Sequence, residues 1–209
     1  MEIRLEKVGK RFRTEWIFRK INYTFSAPGR YAILGYNGSG KSTLLKILSG
    51  HLTPSKGRIQ FFPSPNANPL EEGTVYQRVS YAAPYIQLIE ELTLTELLTF
   101  HFKFKRPLEG LSVPDLIALM GLEASKNKEI RHFSSGMKQR VKLILGFASD
   151  TPILLLDEPT TNLDTAGVEW YQTMLKRFGE GRLIIIASNV EADVGTCQHR
   201  LDITSFKPA

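Results

Sequence analysis

One glycine-rich segment, residues 35–42 (Gly-Tyr-Asn-Gly-Ser-Gly-Lys-Ser), constrains this chain most. It follows the apolar run 31–34 and opens a helical pattern that reaches Gly50. Glycines let the backbone turn so that its N–H groups, together with the start of the helix, can hold the phosphates of a nucleotide. Lys41 adds a positive charge, and Ser42 is placed to ligate a Mg²⁺ ion that bridges the phosphates. The segment therefore predicts a phosphate-binding loop rather than an ordinary turn.

A second candidate anion site lies at the start of another predicted helix. Residues 133–140 (Phe-Ser-Ser-Gly-Met-Lys-Gln-Arg) run into a helical pattern that reaches Ala148, and Ser134 or Ser135 can cap that helix. Small residues and free backbone N–H groups at a helix start attract anions. One chain has little use for two such sites unless they meet across a dimer.

Two adjacent carboxylates follow a predicted buried strand. The apolar run 153–156 ends in Asp157 and Glu158, so both lie at the carboxyl edge of the sheet. Neighbouring side chains point in different directions, so one carboxylate can face a metal while the next faces a nucleophile. Asp157 therefore suits the magnesium shell, and Glu158 suits activation of the attacking water.

These motifs, in this order, resemble the ATP-binding cassette family, the motor subunits of ABC transporters, over essentially the whole chain. The resemblance implies an α/β fold: a P-loop NTPase of the ABC type with a mixed sheet core, an antiparallel β edge and an inserted helical lobe. We expect a single domain over residues 1–209, with a RecA-like core at about 1–84 and 150–209 and the lobe at about 85–149. The family also implies ATP and Mg²⁺ as cofactors.

The resemblance implies a head-to-tail dimer, with each ATP held between one subunit's phosphate-binding loop and the signature stretch of the other, here residues 134–139. Residues 161–164 match the D-loop. Phe12 matches the aromatic residue that stacks on adenine, although it can also be an ordinary core or edge-strand aromatic. The nucleotide-binding residues expected are Phe12, Gly35, Tyr36, Asn37, Gly38, Ser39, Gly40, Lys41, Ser42, Thr43, Ser134, Ser135, Gly136 and Met137. Catalytic roles are expected for Glu158, Asn189 and Lys41, and metal ligation for Ser42, Asp157 and Gln87.

The chain departs from the family pattern at the switch position, where Asn189 replaces the usual histidine. An amide can donate a hydrogen bond to phosphate but cannot take up or release a proton near neutral pH. Hydrolysis is then expected to be slower or to rest on Glu158 alone. His199 is a poor substitute because it lies beyond the predicted strand.

A second departure follows the predicted strand at residues 79–83, where Pro84 stands at the position of the family's glutamine. Gln87 comes three residues later, and it either reaches the magnesium shell through a longer loop or is a surface glutamine. The signature reads Ser135 and Met137 where many members have glycine and glutamine. This variant resembles those of exporter-type ATPases.

The segment 85–89 is apolar without a clear period, and in the family this region borders the groove that receives a helix of the membrane subunit. Tyr85, Ile86 and Leu88 either form part of that docking surface or are buried where the lobe meets the core. Helical patterns then occupy residues 93–149.

Composition fits one cassette without a membrane anchor of its own. The chain has 209 residues, 42% of them hydrophobic, and no apolar run approaches the 18 residues of a membrane span. The amino terminus has the pattern of a strand rather than a signal peptide, and the single cysteine, Cys197, fits a reducing compartment. The net charge of +6 is dispersed, which does not favour nucleic acid as a partner. We expect a cytoplasmic protein held at the inner face of the cell membrane through its partner.

The leading prediction is the ATP-hydrolysing subunit of an ABC transporter, energising a separate transmembrane permease. No internal repeat is visible, so a second ATPase subunit is needed, and a homodimer formed on ATP binding is expected. The short tail after Asn189 and the signature variant favour export. The alternatives are an ATP-gated dimerising module with little turnover, and a non-transport cassette ATPase. A non-transport cassette ATPase would require two cassettes in one chain or a long coiled-coil insertion.

Overall fold

The computed structural model describes residues 1–207, apart from the side chain of Glu72, and its centre is a parallel sheet. Five strands pair in the order β5-β6-β7-β3-β8, and every pair is parallel. Strands β6 and β7 are buried at every residue, as expected for strands covered on both faces. Their bounds are β3 Gly29–Leu34, β5 Val79–Ala82, β6 Ile153–Asp157, β7 Leu183–Ala187 and β8 His199–Asp202.

The other three strands form a separate antiparallel sheet. They are β1 Glu2–Phe12, β2 Glu15–Ser26 and β4 Lys56–Phe62, in the order β2-β1-β4. A bulge between Glu6 and Gly9 shifts the register with β4. At this point Gly57 has φ 76°, and a Cβ there would lie 2.3 Å from the carbonyl oxygen of Glu6. Only glycine fits this approach of the two strands.

Six helices complete the described chain, and side chains cap four of them. Thr93 and Ser112 form capping boxes with Glu96 and Asp115. Each hydroxyl accepts a hydrogen bond from the backbone N–H of the acidic residue, and each carboxylate accepts one from the backbone N–H of the capping residue. Ser134 and Asp164 cap the two longest helices. The bounds are α1 Lys41–Leu48, α2 Leu94–His101, α3 Val113–Met120, α4 Ser135–Ala148, α5 Thr165–Phe178 and α6 Glu191–Val194.

Two hydrophobic cores lie on opposite faces of the parallel sheet. Leu154 and Leu156 of β6 point into the core formed with the helices after β5, whereas Ile153 and Leu155 point into the core formed with α1 and the antiparallel sheet. This alternation follows the two-residue period of a strand. The expected α/β architecture, with an antiparallel edge and helices inserted between β5 and β6, is confirmed, although the strands form two sheets rather than one mixed sheet.

Across the part of the chain that the structure describes, no helix combines the length and the apolar character needed to cross a membrane.

A histidine joins two of the inserted helices, α2 and the end of α4. Nε2 of His101 in α2 lies 3.1 Å from the hydroxyl oxygen of Ser149, which itself donates to the carbonyl of Leu145 at 2.6 Å. Because the hydroxyl proton of Ser149 is donated to Leu145, Nε2 of His101 is the donor in the bond between His101 and Ser149. Burial, together with the smaller effect of the positive charge of Lys105, lowers the pKa of His101 to about 4.

This depressed pKa predicts a loss of stability in mild acid. The folded protein keeps His101 neutral, whereas the unfolded chain protonates it below about pH 6.5, so the free energy of unfolding falls as the pH drops from about 6.5 towards 4. Because the ring is partly exposed, we expect about 1 to 2 kcal/mol of this loss to disappear in His101→Gln. Urea denaturation at pH 7 and pH 4.5 measures it, with the exposed His132→Gln as control. An equal fall of the unfolding free energy between pH 7 and pH 4.5 in wild type and His101→Gln would contradict the assignment of this loss to His101.

Candidate nucleotide-binding site

The loop between β3 and α1 adopts a conformation suited to phosphate. Gly35, Gly38 and Gly40 all have positive φ, at 144°, 80° and 110°. A Cβ on Gly40 would lie 2.6 Å from the side chain of Ile17, so β2 packs directly against the loop. No side chain caps α1 and its first turn carries no acid, which leaves its N–H groups free for an anionic ligand.

The lysine of the loop is held inside it. Lys41 is 5% exposed, and its Nζ donates to the carbonyl of Gly35 at 2.6 Å and to that of Tyr36 at 3.4 Å. A cavity of about 190 Å³ opens above the loop, and the carboxylate-bearing residue Glu158 is part of its wall. Its lining residues are Ile17, Asn37, Gly38, Gly40, Lys41, Ser42, Thr43 and Glu158. The structure therefore brings most of the predicted loop residues together with the predicted base.

Asp157, the last residue of β6, is a buried carboxylate with an unmet hydrogen-bonding capacity. It is 1% exposed; Oδ2 accepts from the Tyr85 hydroxyl at 2.8 Å and the Tyr81 hydroxyl at 3.4 Å, whereas Oδ1 has no partner. A buried carboxylate oxygen without a donor is costly, and a cation relieves that cost. Together with the Ser42 hydroxyl, Asp157 offers the hard oxygen ligands that Mg²⁺ prefers. The residues present therefore fit this metal.

Magnesium usually needs only one or two protein ligands when phosphates complete its shell. The predicted site is therefore one in which nucleotide and protein share the ion. Among the side chains that the structure describes, no group of three or more His, Cys, Asp or Glu could hold a metal.

Glu158 follows Asp157 in a strained backbone conformation. Its φ is 41°, which is unusual for a residue with a side chain, and its N–H donates to the carbonyl of Ala187 at 2.9 Å. That bond continues the pairing of β6 with β7 by one residue and turns the exposed Glu158 towards the loop cavity. The two carboxylates thus face different surroundings, as the sequence predicts.

Asn189 forms a paired contact with the first residue of the loop. Its Nδ2 donates to the carbonyl of Gly35 at 2.7 Å, and its Oδ1 accepts from the N–H of Gly35 at 3.2 Å. Strands β7 and β3 are neighbours, so the segments that follow them meet at the carboxyl edge of the sheet. Ser188 anchors the Asn189 segment, because its hydroxyl donates to the buried Asp193 at 2.5 Å and accepts from the N–H of Val190.

Gln87 is exposed and lines a groove with Ile86 and Leu88, whereas the side chain that reaches Asp157 is that of Tyr85. This exposure agrees with the alternative of a surface glutamine, and metal ligation by Gln87 stays a prediction. Tyr81 and Tyr85 were not predicted at this site. Their four-residue spacing, with Tyr81 inside β5, the strand that pairs with β6, and Tyr85 just after it, is the signal that could have indicated them.

The signature residues lie apart from the loop of their own chain. The Ser134 hydroxyl accepts from the N–H of Met137 at 3.2 Å, and a Cβ on Gly136 would lie 3.1 Å from the carbonyl oxygen of Asn162. The signature therefore packs against the D-loop segment. None of residues 134–137 lines the cavity above the phosphate-binding loop.

Phe12 lies at the end of β1 with nearly half of its surface exposed. It is 48% exposed, and Nζ of Lys10 lies 5.2 Å from the ring centroid. Phe12 is thus not a core residue, and stacking on adenine stays a prediction.

The Asn189 contact generates a test. Asn189→Ala removes both hydrogen bonds to Gly35, so the loop loses a restraint at its first peptide and we expect about 3- to 10-fold weaker binding of ADP. Isothermal titration calorimetry measures the dissociation constant. Val190→Ala, at the neighbouring exposed position, is the control. Unchanged affinity in Asn189→Ala would show that the loop holds its shape without the amide.

Known proteins match this fold and this site. The family model described as "ABC transporter" matches residues 18–161, which is more than half of the chain. The uncharacterized ABC transporter ATP-binding protein YybJ of Bacillus subtilis is 30% identical over 187 residues, covering 88% of this chain and 84% of the relative. The lantibiotic transport ATP-binding protein SrtF of Streptococcus pyogenes is 28% identical over 210 residues, covering 98% of this chain and 86% of the relative.

A solved structure shows the same fold. The ATP-binding cassette MJ0796, a dimer in a post-hydrolysis state bound to ADP and Pi, aligns with a TM-score of 0.79 and 21% identity, covering 97% of this chain and 95% of that one. At this identity the likeness concerns the fold. The family match, joined to the loop, the carboxylates and the signature described above, shows that the chain belongs to the ABC transporter family as an ATP-binding subunit.

Proposed function

We propose that this chain binds Mg·ATP at the loop between β3 and α1 and hydrolyses it to energise a separate transmembrane permease. The observation that supports this most is Glu158, whose side chain forms part of the wall of the cavity above Lys41 and Ser42. A general base has to lie within reach of the water that attacks the phosphate, and this wall is the place for it.

Each residue has a distinct part in the proposed reaction. The N–H groups of the loop and of the first turn of α1 bind the phosphates, and Lys41 leaves the carbonyl of Gly35 to pair with them. Ser42 and Asp157 would hold Mg²⁺, which neutralises developing charge on the phosphates when bound. Glu158 takes the proton of the attacking water. Asn189 donates a hydrogen bond but exchanges no proton.

We further propose that two chains form each complete site. The signature residues 134–137 do not line the cavity of their own chain, so a second cassette must bring its signature to this loop. Ser134 and the start of α4 then supply N–H groups to the same phosphates. A homodimer formed on ATP binding satisfies this requirement.

The proposed base gives a direct test. Glu158→Gln keeps the size of the side chain but cannot accept a proton, so we expect ATP turnover to fall at least 100-fold while ATP binding is retained. Phosphate release measures turnover, and calorimetry measures binding. Glu180→Gln, exposed in the turn before β7, is the control. A folded wild-type chain that binds ATP without turnover would favour the ATP-gated module instead.

A groove beside the inserted helices is proposed to receive the permease. The cavity has a volume of about 400 Å³ and lies between α2, α4 and the segment after β5. Three large apolar side chains on its wall are exposed: Ile89 at 41%, Phe100 at 41% and Phe104 at 73%. Of the residues predicted for docking, Ile86 and Leu88 line this groove, whereas Tyr85 does not. An apolar helix of the membrane subunit suits such a surface.

The docking proposal predicts separable effects on binding and turnover. Phe104→Asp and Ile89→Asp place a charge where the permease helix would bury apolar surface, so we expect at least a 10-fold loss of affinity for the permease. Basal ATP turnover and the unfolding midpoint should stay unchanged. The matched control is Ala124→Asp, exposed elsewhere on the inserted lobe. Undiminished recruitment of both variants to membranes containing the permease would contradict the groove assignment.

We propose export as the direction of transport, and the support for it is the Ser-Gly-Met-Lys-Gln signature at residues 135–139. Transport measured in membrane vesicles of both orientations decides between export and import.

A further inference from the structure

The hydroxyl of Tyr85 lies where the two proposed magnesium ligands converge. It donates to Oδ2 of Asp157 at 2.8 Å and also contacts the hydroxyl of Tyr81. The Ser42 hydroxyl lies close to the same phenol. Burial is the main influence on the pKa of Tyr85 and raises it, whereas the nearby hydroxyls of Tyr81 and Ser42 lower it. One exposed side chain is thus hydrogen-bonded to Asp157 and lies beside Ser42, the two residues that would bind the metal.

The hydrogen bond from Tyr85 to Asp157 has its physical reason in the burial of that carboxylate. Asp157 is buried, and a buried carboxylate requires hydrogen-bond donors or a cation. Tyr85 and Tyr81 supply the donors to Oδ2, and Oδ1 has none. A divalent ion is a far stronger partner for this carboxylate than two neutral phenols.

The phenol and the metal compete for the same space. An ion bound to Ser42 and Asp157 at about 2.0 to 2.1 Å would lie against an oxygen that already hydrogen-bonds to Asp157 and lies close to Ser42. Mg²⁺ fills its shell with carboxylates, phosphates and waters, and a neutral phenol is not among its usual ligands. The hydroxyl must therefore leave when the ion enters.

The position of Tyr85 in the chain connects this movement to the groove. Pro84, just before it, accepts a hydrogen bond through its carbonyl from Lys142 in α4, and residues 86–89, just after it, line the groove. On the other side, Nζ of Lys46 in α1 lies 4.4 Å from the centroid of the Tyr85 ring. Tyr85 thus stands between the phosphate-binding helix and the proposed permease surface.

We propose that Tyr85 is a placeholder for magnesium: its hydroxyl stabilises Asp157 in the metal-free site, and metal entry displaces it and shifts residues 85–89 at the groove. This inference rests on the proposed function, since it takes Ser42 and Asp157 as the metal ligands. Tyr85 acts here as a positioning residue, because the reacting atoms do not touch it.

The first test measures metal affinity without turnover. Tyr85→Phe removes the competing hydroxyl and keeps the ring over Lys46. We therefore expect Mn²⁺ to bind about 10- to 100-fold more tightly in the presence of ADP, which is the effect of losing one hydrogen bond to a charged group. Electron paramagnetic resonance of free Mn²⁺ gives the dissociation constant. Tyr23→Phe is the control, because Tyr23 lies in the antiparallel sheet, packed against the rings of Phe25 and Tyr31.

A second test follows the segment itself. A fluorescent probe is attached at Ile89→Cys in a Cys197→Ser background, and its emission is recorded as Mn²⁺ is added to the ADP-bound chain. We expect a change that saturates with the metal, and at least a twofold smaller change when Tyr85→Phe is added, since the segment is then already released.

The outcomes separate this inference from the function on which it rests. Equal or weaker Mn²⁺ binding by Tyr85→Phe, with normal binding by wild type, would overturn the placeholder role and leave the ATPase proposal standing. A probe at Ile89→Cys that does not respond to metal would overturn the coupling to the groove. A wild-type chain that binds no Mn²⁺ with ADP would overturn both proposals.

Discussion

The parallel pairing of β6, β7 and β3 is the constraint on which the rest of the site depends. Ala187 of β7 lies level with Asp157 of β6 and with Ile33 of β3. Because parallel strands end at the same edge of a sheet, the segments that follow these three residues must meet. The phosphate-binding loop, the pair of carboxylates and Asn189 come together for this reason, although they are spread over more than 150 residues of sequence.

The buried position of Asp157 has a cost that shapes its surroundings. A carboxylate at the end of a fully buried strand needs compensation, and the described structure provides it through two tyrosine hydroxyls from the segment around β5. The same carboxylate is one of the two metal ligands proposed above. In that proposal, binding of the metal and displacement of Tyr85 would meet one energetic requirement, the compensation of a buried charge.

At the position expected for the switch histidine, Asn189 provides a contact with the phosphate-binding loop but no proton transfer. Asn189 holds the backbone of Gly35 through two hydrogen bonds, so it still links the end of β7 to the phosphate-binding loop. What it lacks is a proton to exchange near neutral pH. In the proposed reaction, proton transfer from water therefore falls to Glu158, whose strained backbone aims it at the cavity.

The sequence by itself determined the order of the motifs and, through them, the α/β fold, the phosphate-binding loop and the family. These features are local, since a glycine pattern, a capping serine or an apolar run followed by Asp157 and Glu158 keeps its meaning without the rest of the chain. Only the tertiary structure decided which side chain reaches Asp157. Counting along the chain left Gln87 open between a metal ligand and a surface residue, and Tyr85 between docking and burial, whereas the path of the segment after β5 brings Tyr85 to the carboxylate. The direction of a loop depends on packing against α1 and α4, through Lys46 and Lys142, and such long-range contacts leave no mark in the local pattern.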